Sequence, residues 1–167
     1  MAQCPHCGHD NLVGEIFCVE CGQDLQERSD LDEHLGEVLL EIMPPRKAIT
    51  LGADATVRDA VRLMCERKVG CIIVMEDDRM EGVFTERDLL TKVTSQKGAR
   101  LDAPLGEVMT REPVTLSETD SIAVALNHMA VGGFRHLPVV DKSGAPTGIY
   151  SVRDILGKLY EYESAGS

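Results

Sequence analysis

From residue 35 onward, apolar positions recur twice in the same order. Val57, Ala60, Val61 and Met64, spaced i, i+3, i+4, i+7, mark one face of a helix, and Ile122, Ala125, Leu126 and Met129 mark that face again. Each helix is followed by a short apolar run, at 71–75 and at 137–140. Turn residues come next, at 76–79 and 141–145, and then a second run that closes on a Gly-led motif. A β-prone triplet stands ahead of each helix, Ile49-Thr50-Leu51 in one copy and Val114-Thr115-Leu116 in the other. Each copy therefore predicts the order β-α-β-β-α.

The repeat has a defined register. The triplets and helices correspond at an offset of 65, and Gly82-Val83-Phe84-Thr85-Glu86-Arg87-Asp88 corresponds to Gly148-Ile149-Tyr150-Ser151-Val152-Arg153-Asp154 at 66, so one residue is gained in the turn. Leu35-Gly36-Glu37-Val38 also recurs, as Leu105-Gly106-Glu107-Val108. The doubled G-h-h-[ST]-x-R-D motif (h, apolar), with the Leu137-Pro138-Val139-Val140-Asp141 strand, resembles the cystathionine-β-synthase (CBS) domain family over residues 35–162. The resemblance implies an α/β (α+β) fold of tandem modules, 35–100 and 101–162, packed about a pseudo-twofold axis, with 163–167 as a tail. It also implies a face-to-face homodimer.

The amino-terminal segment has a different logic. Cys4-Pro5-His6-Cys7-Gly8 and Cys18-Val19-Glu20-Cys21-Gly22 are two C-x-x-C-G units. Two residues between thiolates let one turn present both sulfurs to a tetrahedral ion, and the following glycine can take the positive φ that closes the knuckle. Residues 1–24 resemble a rubredoxin-like zinc ribbon, with Cys4, Cys7, Cys18 and Cys21 as ligands of one structural Zn2+ per chain. Four thiolates leave no open coordination position, so such an ion holds the fold and does no chemistry. Iron, or a redox-active C-x-x-C, is the competing reading. His6 and His9 are read as surface residues, and a hairpin is expected around 11–14.

Charge narrows the partners. The chain carries a formal net charge of -11 over 167 residues. Residues 1–34 hold eight carboxylates against the single base Arg28, and 25–34 reads as an acidic linker. A phosphate backbone needs clustered Lys and Arg, so nucleic acid is not an expected partner. Aromatic residues make up 4% with no Trp, which leaves few platforms for base stacking. No apolar window approaches 18 residues and no basic-then-apolar leader opens the chain, so a cytoplasmic protein without a membrane segment is expected.

Thr85-x-x-Asp88 and Ser151-x-x-Asp154 each fit a helix capping box. The same carboxylate could instead accept both hydroxyls of a ribose, and the two uses can partly coexist. Arg87 and Arg153 offer planar forks for phosphate. The family resemblance implies that Asp88 and Asp154 hold ribose, that Thr85 and Ser151 hold ribose or phosphate, and that Thr50 and Thr115 help cradle adenine. Arg135-His136 stands where the first copy has Gly70-Cys71, and in related pairs this position reaches across the axis, so the Asp88 site is expected to be the stronger. Cys65 and Cys71 are read as buried small apolar residues. No nucleophile, base or carboxylate pair with reaction geometry emerges, so no enzyme is expected. The expected function is regulatory: an adenine nucleotide (AMP, ADP, ATP or a related adenosyl compound) is sensed between the modules, and the ribbon contacts a protein partner. The alternative is a non-catalytic assembly module with vestigial pockets.

Overall fold

A computed structural model describes residues 2–4, 7–12, 18–21, 35–37, 39–77, 79–95 and 100–165. In the first copy, β3 (Thr50–Gly52) leads into α2 (Val57–Arg67), then β4 (Cys71–Glu76) and β5 (Arg79–Thr85). A short α3 (Glu86–Asp88) continues as a π-helical segment, Leu89–Val93. The second copy runs β7 (Leu116–Ser117), α5 (Ile122–Gly132), β8 (His136–Val140), β9 (Pro146–Ser151) and α6 (Val152–Ala165). Ahead of the copies lie α1 (Leu39–Ile42) and the pair α4 (Leu105–Val108) and β6 (Thr110–Arg111). The amino-terminal pair is β1 (Ala2–Gln3) and β2 (Asp10–Asn11). The expected β-α-β-β-α order holds in both copies.

Local chemistry explains these boundaries. Thr56 and Ser121 cap α2 and α5 by accepting from the third amide onward, Asp59 N and Val124 N. Both helices end in a left-handed residue, Lys68 at φ 54° and Gly133 at φ 65°. The stripe read from the sequence is the buried one: Val57, Ala60 and Met64 in α2, and Ile122, Ala125 and Met129 in α5. In each copy the first strand pairs parallel to the second, as its helical crossover requires, and the second pairs antiparallel to the third. The register shifts at Val74/Met75 and again at Val139/Val140, so even the irregularity is duplicated.

What the repeat does not announce is an exchange. The segment before each copy packs into the other copy's core. Leu105, Val108 and Met109 are buried with Val57, Ala60, Ile72 and Phe84 of the first copy. Leu39 is buried with Leu116, Ile122, Leu137 and Tyr150 of the second. Hydrogen bonds fix both crossings: Leu105 N to Ala55 O at 2.8 Å and Val57 N to Ala103 O at 3.0 Å on one side, Leu39 N to Asp120 O at 3.0 Å and Ile122 N to Glu37 O at 3.2 Å on the other. β6 adds an antiparallel edge to β5, and Arg46 bridges antiparallel to Ile149 in β9. Cys71, Ile73 and Val83 bury the opposite face of the first sheet with Ile149 of the second copy packed against them. No helix among the described residues is long and apolar enough to cross a membrane.

Candidate functional site

Two clefts form where the copies meet. One, of about 580 Å³, is lined by Arg46, Lys47 and Ile49 from the segment before α2, by Val61, Met64 and Lys68 from α2 and its cap, and by Ser151, Arg153 and Asp154. The other, of about 320 Å³, is lined by Thr110, Glu112 and Val114, by Gly133 and Phe134, and by Thr85, Arg87 and Asp88. Each cleft thus combines the Gly-led motif of one copy with the lead-in and helix end of the other. The sheet exchange builds them.

Each aspartate divides its two oxygens between different tasks. Asp88 Oδ2 accepts from Thr85 N at 2.9 Å and Thr85 Oγ1 at 2.6 Å, while Thr85 Oγ1 accepts from Asp88 N at 3.3 Å. Asp154 Oδ2 accepts from Ser151 N at 3.0 Å and Ser151 Oγ at 2.6 Å, and Asp154 N donates to Ser151 Oγ at 3.3 Å. That is the capping box. Oδ1 is turned elsewhere: Asp88 Oδ1 takes Lys92 Nζ at 2.7 Å and Thr110 Oγ1 at 2.8 Å, and Asp154 Oδ1 takes Arg46 at 2.5 Å. The capping oxygen is committed to the helix start, and the other oxygen faces a side-chain cation. A ribose hydroxyl that donates to Oδ1 would replace a cation held by a flexible side chain.

Burial pushes the Asp88 carboxyl up, but Lys92, Thr85 and Thr110 outweigh it and hold it below the ordinary carboxylate range. His136 is shifted the other way. Burial disfavours its charged form and Arg135 repels it, and these outweigh the pull of Glu86, so its pKa lies below the usual histidine value.

Thr85, Arg87 and Asp88 share one cleft, and Ser151, Arg153 and Asp154 the other. Arg135 and His136 line both. The pair that the sequence assigned to the Asp88 site is therefore shared with the Asp154 site. Thr50 and Thr115 line neither cleft; their neighbours Ile49 and Val114 do. Thr50 is exposed on β3 opposite Ile73, so alternation along the strand turns its neighbour inward. Cys71 is buried, and burial followed by the Asp88 charge pushes its thiol up to about 12. Cys65 is exposed, contrary to the sequence expectation, because it lies one position past Met64 and off the buried stripe of α2. Sequence reasoning missed Arg46, Lys92 and Thr110. Arg46 and Arg111 do recur at the offset of 65, which was the available signal.

The amino-terminal cysteines form a separate site. Their four ligand atoms lie within 4.8 Å of one another, with Cys4 and Cys21 sulfurs 3.7 Å apart and Cys7 and Cys18 sulfurs 3.6 Å apart. A tetrahedral ion with metal–sulfur bonds of about 2.3 Å sets its sulfurs about 3.8 Å apart, so the spacing fits. Gly8 takes φ 76°, as a knuckle glycine should, and no disulfide joins the four cysteines. Asn11, 2% exposed, ties the knuckles together, accepting from Val19 N at 3.1 Å and donating to His9 O at 3.0 Å. Burial pushes the Cys18 thiol up, yet the amides of Cys21 and Glu20 outweigh it and bring it down to about 6. His6, Gly22, residues 13–14 of the expected 11–14 hairpin and the 25–34 linker lie outside the described residues.

The comparisons with known proteins bear on the duplicated part of the chain. The CBS domain family model matches twice, at residues 37–95 and 105–161. The chain is 34% identical over 136 residues to CBS domain-containing protein CBSCBSPB1 of Arabidopsis thaliana, covering 80% of this chain and 24% of that one. It thus spans about a quarter of that relative's length. It is 34% identical over 118 residues to CBS domain-containing protein YhcV of Bacillus subtilis, covering 71% of this chain and 83% of that one. A CBS domain protein of Pyrobaculum aerophilum complexed with AMP superposes with a TM-score of 0.64 at 28% identity, over 75% of this chain and 99% of that one. Duplicated sequence, exchanged lead-ins and these likenesses lead to one assignment: the chain belongs to the CBS domain family.

Proposed function

We propose that this protein is a non-catalytic regulator that senses an adenine nucleotide in the clefts between its two CBS modules. The observation that carries this reading is the division of labour at Asp88 and Asp154. In both copies a buried carboxylate, pinned by its capping oxygen, presents the other oxygen to a displaceable cation beside an apolar wall and an arginine. The AMP complex of the Pyrobaculum relative supports the ligand class. Thr85 and Ser151 then position the carboxylates, Arg87, Arg135 and Arg153 meet phosphate, and Ile49 and Val114 cover the base where the sequence had suggested Thr50 and Thr115.

The four amino-terminal cysteines hold one structural Zn2+, which would cross-link the two knuckles and leave no ligand position for chemistry. A homodimer is supported by Leu90 and Leu156, at equivalent positions in the two copies, which are 66% and 55% exposed. In this reading the protein works in the cytoplasm and the ribbon contacts a protein partner. Isothermal titration of the full chain with AMP, ADP and ATP tests the clefts. Binding should be lost in the Asp88→Ala/Asp154→Ala double variant; undiminished binding there would refute the assignment.

A further inference from the structure

We propose that the two clefts divide their ligands by charge: the Asp154 cleft takes a nucleoside di- or triphosphate, and the Asp88 cleft a monophosphate. This deepens the adenine-nucleotide reading and rests on it for the nucleoside half of the ligand. Positions that the repeat makes equivalent differ in charge between the clefts. Lys47 of the Asp154 cleft corresponds to Glu112 of the Asp88 cleft, and Lys68 corresponds to Gly133, both at the offset of 65. The third pair, Arg46 and Arg111, has diverged in direction. Arg46 reaches Asp154, whereas Arg111 turns to Glu81 at 3.7 Å and to Gly106 O at 2.9 Å and does not line the cleft.

One cleft has therefore gained three cations where the other has a carboxylate, a glycine and an arginine turned away. With Arg135 and Arg153 the Asp154 cleft holds five strong cations against the carboxylates of Glu86 and Asp154. The Asp88 cleft is lined by Arg87 and Arg135 against Glu86, Asp88 and Glu112, with Lys92 held on Asp88 as Arg46 is held on Asp154. Among the described residues, Lys47, Lys68, Arg135 and Arg153 have no carboxylate partner. A concentration of unpaired cations in a chain of net charge -11 disfavours the free state by mutual repulsion, and a polyanion relieves it. The Asp154 cleft is also the larger, at about 580 Å³ against 320 Å³.

Lys68 adds an independent mark. It caps α2 at φ 54°, a left-handed conformation for which glycine is the unstrained choice, and its counterpart Gly133 is a glycine at φ 65°. The chain tolerates backbone strain at the cleft that a Gly would relieve, and what it retains is an ammonium on the cleft wall.

The test writes one cleft's residues into the other. Lys47→Glu/Lys68→Gly changes two exposed side chains and relaxes the left-handed cap, so the fold should be kept and the thermal midpoint should not fall. Titrations of the full chain use ATP, AMP and inorganic tripolyphosphate. The double variant should lose at least about tenfold in affinity for ATP and for tripolyphosphate, while AMP affinity changes less than about threefold, since two exposed cations are removed from one cleft only. Equal losses for AMP and ATP, or an unchanged ATP affinity, would overturn the partition. If neither nucleotide binds the parent protein, the adenine reading fails on its own, and tripolyphosphate decides the charge partition. Binding that Lys47→Glu/Lys68→Gly abolishes sustains it, and absence of binding overturns it.

Discussion

Leu105 opens the second copy in sequence and is fully buried in the core of the first. Leu105→Ala leaves a cavity in the core that also holds Val57, Ala60 and Met64, and core Leu→Ala changes cost about 3–5 kcal/mol, depending on how far the site relaxes. With a urea dependence of about 2 kcal/mol/M, the unfolding midpoint should fall by about 1.5–2.5 M. The decisive question is which part of the chain registers the loss. All three tyrosines, Tyr150, Tyr160 and Tyr162, lie in the second copy and there is no Trp, so intrinsic fluorescence reports on the second copy alone. Far-UV circular dichroism reports on both. If the exchanged lead-ins make the pair one cooperative unit, the fluorescence and dichroism midpoints move together in Leu105→Ala, and again in Leu39→Ala from the opposite side. A tyrosine transition that stays in place while the dichroism curve splits in two would show that the modules unfold independently, and the exchange would then lack the energetic weight given to it.

Three further outcomes follow from particular contacts. His136 has a lowered pKa, from burial first, and is mostly neutral at pH 7; a phosphate dianion beside it would raise that pKa, so nucleotide binding should take up protons and affinity should rise as pH falls through the bound-state value. Titration heats at pH 6 that do not vary with buffer ionisation enthalpy would refute this, and His136→Gln should remove the dependence. Removing metal with a strong chelator, or Cys18→Ser, should release one zinc per chain and collapse the amino-terminal knuckles while the tyrosine-detected transition of the CBS pair stays within about 0.5 kcal/mol, since the four cysteines take no part in the buried clusters of the two copies. Gly148→Ala would place a Cβ 2.7 Å from Pro45 Cβ and 3.0 Å from Arg46 O, where the exchanged segment crosses β9. It should cost about 1–3 kcal/mol, read as a lower thermal midpoint, and an unchanged midpoint would show that the crossing yields easily.

The parts legible in the sequence are those that physics writes locally. Apolar spacing in 57–64 and 122–129 reports a helix face whatever the helix packs on, and Thr85-x-x-Asp88 closes its capping box within four residues. The thiol spacing in the ribbon is equally local, and the sulfurs do converge. The exchange is not local. Leu35-Gly36-Glu37-Val38 and its repeat show that the two segments are alike, but nothing in either says that each docks on the other copy's core. The cleft wall is half legible for that reason: the strand triplets at Thr50 and Thr115 point to the right stretch of chain, where Ile49 and Val114 line the clefts, but only the exchange brings Arg46 and Thr110 beside the aspartates of the other copy.

On the proposed reading, Arg46 shows why the exchange would matter for sensing. It belongs to the lead-in of the first copy, bridges through its backbone to Ile149 at 3.0 and 3.1 Å, and closes its side chain on Asp154 of the second copy. On the opposite side Lys92, in the π-helical segment, spans Asp88 and the carbonyl of Met109 at 3.0 Å, the last buried residue of the second lead-in. Each aspartate oxygen available to a ribose is therefore held, in the free protein, by a cation that also touches an exchanged segment. A ligand that claims the carboxylate has to displace that cation, and the displacement falls on the contacts by which the copies are joined. A ligand shifts an equilibrium only by its differential affinity for two arrangements, and here the differential contacts are Arg46 to Asp154 and Lys92 to Asp88. Were the aspartates free of cations, occupancy could leave the junction unaltered; because they are not, binding and the joining of the modules draw on the same two carboxylates.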